Sequence, residues 1–275
     1  MKKKRRAVVA FSYIVLIIIA LVSVFPLIYA FMIATKQPVD AFSTSFDWIY
    51  TPIFDNFYSL WVERGFTEYL KNTLIVTGCC VLISVPTATL GAYGLIRNGG
   101  KFATKLLNST LLLRMFPQML LAIPYFIIAT NLGLADTKTI LVVIVVASNQ
   151  PFALWLMRGF LITIPPELDE AARIDGCNMV QTVTKVILPI AKPGIATASI
   201  FTFLLSYNEY LFALILTQRN AMTLPVAIGQ YGAEDLSYWT LSAAGVVSII
   251  IPICIVMIFL QKYLVKGMVA GAVKG

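Results

Sequence analysis

Histidine is absent from these 275 residues, and what is left for chemistry is a small set of polar side chains embedded in apolar sequence. Arg114 and Glu209 stand inside stretches that are otherwise almost uncharged, Asn149 and Gln150 precede a proline, and Tyr207, Asn208 and Tyr210 flank Glu209. An ionisable residue at the centre of a membrane helix costs about 2.5–3.5 kcal/mol, so its presence marks a functional candidate. Amides and a carboxylate beside tyrosine rings donate and accept hydrogen bonds and offer flat apolar faces, the equipment of a transient site for a polar solute. Each also has a plainer reading: Arg114 can snorkel to an interface, and Glu209 can tie spans together. Covalent chemistry has no such support. The four cysteines, Cys79, Cys80, Cys177 and Cys254, lack CxxC spacing, so neither a metal site nor a disulfide framework is expected. The nearest approach to a nucleotide-binding loop, Gly94 to Lys101, has one residue too many between its glycines and ends in Lys-Phe.

The elements that carry these residues must live in lipid. Hydrophobic residues make up 59% of the chain and charged residues 12%, where a soluble domain would have about a quarter charged. The composition therefore predicts an all-α integral membrane protein. Six stretches are long enough to span a bilayer, at about 8–34, 69–96, 103–131, 139–162, 193–217 and 241–265. The first follows Lys2, Lys3, Lys4, Arg5 and Arg6 like a signal peptide, but its apolar run is too long and is expected to stay as an uncleaved helix. With both termini in the cytoplasm, only Lys36, Arg64, Lys71, Lys138 and Arg219 fall on the outer side, an asymmetry that fixes the orientation. The net charge of +8 then faces anionic lipid. No basic patch alternates with stacking aromatics, so no nucleic acid partner is expected. The long outer loop, about 35–68, carries Asp40, Asp47, Asp55, Glu63 and Glu68. It reads either as a docking surface for an external partner or as a solvated loop with short interfacial helices. No internal repeat or linker divides the chain, so residues 1–275 are expected to form a single transmembrane domain.

One cytoplasmic loop, about 163–192, departs from the apolar pattern. Pro165 and Pro166 end the fourth span, and Glu167, Asp169 and Glu170 favour the start of a new helix, where carboxylates meet the positive end of the helix dipole. Ala171 and Ala172 continue it with almost no side chain, and Gly176 permits the left-handed residue that stops it. A second helical segment, about 179–188, leads to Pro189. A short helix between spans can simply cover lipid headgroups, but an acidic one on the negatively charged side of a membrane is repelled by them and is expected to face a protein, which its small residues let approach closely.

The pattern Glu170-Ala171-Ala172, three residues, Gly176, nine residues, Val186, one residue, Leu188-Pro189 resembles the EAA signature of permease subunits of binding-protein-dependent ABC importers, with Val186 where isoleucine is usual. The segments Ser206 to Thr217, Thr223 to Ile228 and Lys266 to Gly275 are similar to the carbohydrate-uptake branch, and most of all to the maltose-permease partner subunit; Tyr207 stands where that branch has tryptophan. The resemblance implies the type I importer permease fold of six transmembrane helices with a cytoplasmic coupling helix. It also implies that Glu170, Ala171, Ala172, Arg173, Asp175, Gly176, Leu188 and Pro189 serve coupling to a separate ATPase. The implied partners are a second homologous permease, two ABC ATPase copies and an extracytoplasmic solute-binding protein in a bacterial inner membrane. ATP and magnesium are then used by the ATPase, with no cofactor bound here. A sugar's hydroxyls and C–H faces would meet Arg114, Asn149, Gln150, Tyr207, Asn208, Glu209 and Tyr210. Two alternatives stay open: a non-sugar or acidic-sugar cargo, and an ion-driven transporter, for which Glu209 stands nearly alone as a coupling carboxylate.

Overall fold

The computed structural model describes the backbone of residues 2–41, 48–234 and 238–272, with the side chains of 2–8, 113, 232–234 and 262–272 outside the description. Asp47 and the last residues of the tail, 273–275, therefore lie outside the described residues. The regular elements described are all helices: α1 (Lys2–Ala34), α2 (Pro38–Ala41), α3 (Asp55–Tyr58), a π-helical turn (Ser59–Glu63), α4 (Phe66–Asn98), α5 (Gly100–Arg114), α6 (Gln118–Asn131), α7 (Lys138–Leu161), α8 (Glu167–Ile174), α9 (Met179–Gln181), a second π-helical turn (Thr182–Ile187), α10 (Leu188–Tyr207), α11 (Leu211–Leu216), α12 (Leu224–Glu234) and α13 (Trp239–Ala272). Five helical runs, Val9–Ala34, Phe66–Asn98, Lys138–Leu161, Met179–Tyr207 and Trp239–Gln261, are long and apolar enough to cross a membrane.

The expected third and fifth spans are interrupted. In place of one helix over 103–131, α5 ends at Arg114 and α6 starts at Gln118, because Pro117 donates no hydrogen bond and drives Phe116 out of the helical region. The run expected at 193–217 stops at Tyr207. There the Asn208 side chain donates to the Leu204 carbonyl at 2.8 Å, and the Glu209 carboxylate accepts from the Phe212 amide at 3.0 Å to open α11. Conversely, 179–188 is no separate segment but runs without a break into α10. Its π-helical turn contains Lys185, four residues before Pro189, and the wider i→i+5 ring relieves the clash of the proline ring with that carbonyl.

The chain divides into two compact units, Met1–Thr67 with Ala227–Ile251, and Glu68–Val226 with Pro252–Gly275. In the first, the most apolar stretch of α1 has no buried residue, as a lipid-facing helix should. The segment after it is packed rather than loose. Asn56 donates to the carbonyls of Ala34 and Lys36, both at 2.9 Å, and accepts from the Thr240 hydroxyl at 3.1 Å. Leu60 and Phe66 are fully buried, and the Trp61 and Phe66 ring centroids are 4.7 Å apart.

The second unit has two apolar clusters along α4, α7 and α10–α11. One gathers Val76, Cys80, Leu141, Val145 and Phe212, and the other Ala92, Met157, Leu161, Ile187 and Ala191. Beyond the first cluster, between α6 and α7, Asp136 adopts a left-handed φ of 55°, which aspartate tolerates better than most residues. Its carboxylate accepts from the backbone amides of Gln218, Arg219, Asn220 and Ala221 at 2.8–3.2 Å, and its own amide donates to the Leu216 carbonyl at 2.9 Å. Burial pushes its pKa up, but the four amide donors outweigh burial and hold it below the ordinary carboxylate value. A depressed folded pKa means stability that is complete above the unfolded pKa, near 4, and lost as pH falls through the folded value. The thermal stability advantage of the native protein over Asp136→Asn is therefore expected to be constant above about pH 5 and to shrink below about pH 4. A gap that stays constant down to pH 3 would show that this carboxylate does not titrate against the loop.

Candidate functional site

The loop between α7 and α10 is built around α8. Glu167, Asp169 and Glu170 occupy its first turn and Arg173 its last, each matched to the sign of the helix dipole. The helix ends with the Gly176 amide on the Arg173 carbonyl at 3.0 Å and the Cys177 amide on the Ala172 carbonyl at 2.9 Å. This paired closure requires a left-handed residue, and Gly176 has φ +82°. Asn178 and Gln181 then form a reciprocal capping box that starts the next helix.

This local geometry sorts the expected coupling residues. Glu170, Ala171, Arg173, Asp175 and Gly176 are exposed, whereas Ala172 is buried and Leu188 packs half-buried against the cluster around Met157 and Ile187. Pro189 is exposed at the start of α10. Ile174, at 87% exposed, with Met179 and Val180 at 61% and 70%, adds an apolar patch beside the charged rim. Sequence inspection missed this patch, although three large apolar residues in an otherwise polar loop are themselves the signal.

The inner side of α8 is anchored by Asp169. Its Oδ1 accepts from the Tyr93 hydroxyl, and its Oδ2 stands 2.8 Å from Nε of Arg97. Arg97 also donates through Nη2 to the Ile164 carbonyl at 3.0 Å, in the turn that leaves α7. Tyr93 and Arg97 lie one turn apart at the end of α4, and nothing in their spacing marks them as partners of a residue more than 70 positions away.

The expected solute-path residues are not gathered in one place. A cavity of about 420 Å³ lies between α5, α6 and α7, lined by Arg114, Gln118, Leu121, Tyr125, Ser148 and Pro151. Of the expected set, only Arg114 lines it. The guanidinium lies 4.7 Å from the centroid of Phe152, and Nη1 is buried with no hydrogen-bond partner among the described residues. Gln118, Leu121 and Tyr125 recur at helical spacing on α6, a signal hidden when 103–131 is read as one uniform span. Gln150 turns toward α4 and donates to the Thr87 hydroxyl at 3.0 Å. Asn149 and Tyr207 are buried, Tyr207 stacked on Phe203 at 5.4 Å, and Asn208 and Tyr210 are exposed.

Several lipid-length helices, a cavity between α5, α6 and α7, and one short acidic helix seated by its inner side on the end of α4 are the parts of a membrane transport permease. Comparison with known proteins gives the same class. Residues 81–270 match the family described as binding-protein-dependent transport system inner membrane component, and the chain belongs to that family. It is 31% identical over 254 residues to the diacetylchitobiose uptake system permease protein of Streptomyces coelicolor, covering 92% of each chain. It is 35% identical over 213 residues to the trehalose/maltose transport system permease protein of Thermococcus litoralis, covering 76% of each. Among solved structures, it superposes with a TM-score of 0.76 and 25% identity on a bacterial ABC transporter that imports the acidic polysaccharide alginate, covering 94% of this chain and 96% of that one.

Proposed function

We propose that this chain is one permease subunit of an ABC importer for a sugar or oligosaccharide, forming half of the translocation pore. In this reading both termini are cytoplasmic, the second half of the pore is a homologous permease, and two ATPase copies supply the energy. A solute-binding protein delivers cargo from outside. The chain performs no covalent step and binds no nucleotide or cofactor of its own. The observation that carries the proposal is α8: an acidic helix seated on the end of α4, whose outer face exposes Glu170, Ala171, Arg173 and Ile174, is a surface in need of a protein partner. The sugar assignment is supported by the uptake systems to which the chain is similar. Purification in mild detergent is expected to recover a second permease and the ATPase, and liposomes holding all of them are expected to take up labelled oligosaccharide only with internal ATP and external binding protein. Uptake by this chain alone, or uptake driven by an ion gradient without ATP, would overturn the proposal.

Glu209 bears on the path. A neutral side chain would cap α11 at far lower desolvation cost than a half-buried carboxylate, so the charge itself needs another use. Glu209→Gln keeps an acceptor for the Phe212 amide and removes the charge. It is expected to leave the complex assembled and to reduce uptake roughly tenfold, the scale of one buried charge interaction. Unchanged uptake would leave Glu209 as a helix cap only.

A further inference from the structure

We infer that Tyr93, Arg97 and Asp169 form the joint through which movement of α8 reaches the membrane-spanning helix α4, and that they are positioning residues for energy coupling. The inference rests on α8 being the ATPase contact. Its outward side, with Glu170, Ala171 and Arg173 exposed, meets the partner, while Asp169 and Ala172 face inward and are buried. On either side α8 is joined to the spans by turns, Ile162 to Pro166 and Asp175 to Asn178. Turns transmit force poorly, because their dihedrals absorb it. A rigid link must therefore run through side chains.

Asp169 has the geometry of such a link. Its two oxygens are engaged separately: the Tyr93 hydroxyl donates to Oδ1, and Oδ2 stands 2.8 Å from Arg97 Nε in a buried ion pair that is close but not aligned as a hydrogen bond, so two partners on α4 fix the position of the carboxylate. Arg97 simultaneously holds the Ile164 carbonyl at 3.0 Å, which gathers the end of α4, the exit from α7 and the first turn of α8 onto one guanidinium. The side chains of Arg97 and Asp169 are only 16% and 8% exposed, so solvent and salt screen the pair little. Beneath it, Ala92, Leu161, Ile164 and Val183 are buried in one cluster, with Leu168 of α8 against them, so the joint rests on a close-packed base that cannot yield without repacking. From α4 the contact continues to α7, where Gln150 reaches Thr87 two residues from Ser148 on the cavity wall. A carboxylate in this position is more than a helix-start preference, since that role is filled by Glu167 and Glu170 in the same turn.

The test uses the complete importer in liposomes and measures solute moved per ATP hydrolysed, together with ATPase retention and the stimulation of hydrolysis by loaded binding protein. Asp169→Asn is expected to retain the ATPase while lowering solute moved per ATP by about tenfold, and Tyr93→Phe by about threefold, values within the range of coupled pairs. The double variant should be no worse than Asp169→Asn alone, because both act on one joint. Asp169→Glu, which keeps the charge, should recover part of the loss. If Asp169→Asn does not assemble, Tyr93→Phe, which removes one hydroxyl and no charge, decides the matter. Normal solute moved per ATP in Tyr93→Phe, or losses that simply multiply in the double variant, would overturn the inference. A separate variant, Glu170→Arg, distinguishes the layers: if it abolishes ATPase retention while the inner variants couple normally, only the joint is wrong. If Glu170→Arg leaves retention and coupling unchanged, α8 is not the ATPase contact and the joint falls with it.

Discussion

Gly176→Val is expected to yield a protein that inserts normally but transports almost nothing. The backbone φ of +82° at this position suits glycine, and a β-branched residue there is strained by about 1–3 kcal/mol. A side chain has room, since a Cβ built on Gly176 meets nothing within 4 Å, so the cost is conformational rather than steric. That strain falls on the closure of α8, whose last bonds run from the Gly176 and Cys177 amides to Arg173 and Ala172. Relaxing it would unwind the last turn and displace Arg173 and Ile174 from the exposed face. Gly176→Asn, which tolerates the left-handed region, is expected to retain most transport. Insertion, ATPase retention and uptake measured side by side on the two variants separate these outcomes. Equal, normal transport by both would mean that the shape of this turn does not matter.

Substitution at Gly194 is expected to damage the bundle itself. A methyl group built there would stand 2.5 Å from Cγ and 2.7 Å from Cβ of Phe160. The ring could swing aside, but Cβ is fixed to the backbone, so α7 and α10 would have to separate. Overpacking of this kind costs about 1–3 kcal/mol, and more for a branched side chain. Gly194→Val should therefore give a low yield of protein that loses its partners on gentle heating. Combining Gly194→Ala with Phe160→Gly should let α7 and α10 approach again and recover part of the stability, because the second change removes the ring and Cβ together. Failure of that rescue, with Gly194→Ala alone fully stable, would show that the two helices do not approach as closely as described.

Much of this arrangement was legible in the sequence, and what was not has definite physical reasons. The lipid-length helices, the acidic start of α8 and the left-handed stop at Gly176 follow from local composition and from residues with narrow conformational preferences. The breaks at 115–117 and 208–210 were hidden because hydropathy averages over a window and does not register where a proline or an asparagine diverts the backbone. Pairings across long stretches of chain were hidden for another reason. Nothing local to Tyr93 or Arg97 points to Asp169, and nothing around Asp136 announces four amide donors more than 80 residues away. The cavity beside Arg114 likewise appears only when α5, α6 and α7 are assembled, because no one helix contains its wall.

The Asp136 contact also orders events during synthesis. Its carboxylate is made well before residues 218–221, with the two membrane-length runs of α7 and α10 still to be threaded between them. Until they emerge on that same side, the negative charge has only water for company and the turn at φ 55° has no support. Clasping the later loop is thus among the last closures of this unit, and it can occur only if every intervening helix has been threaded in the right direction.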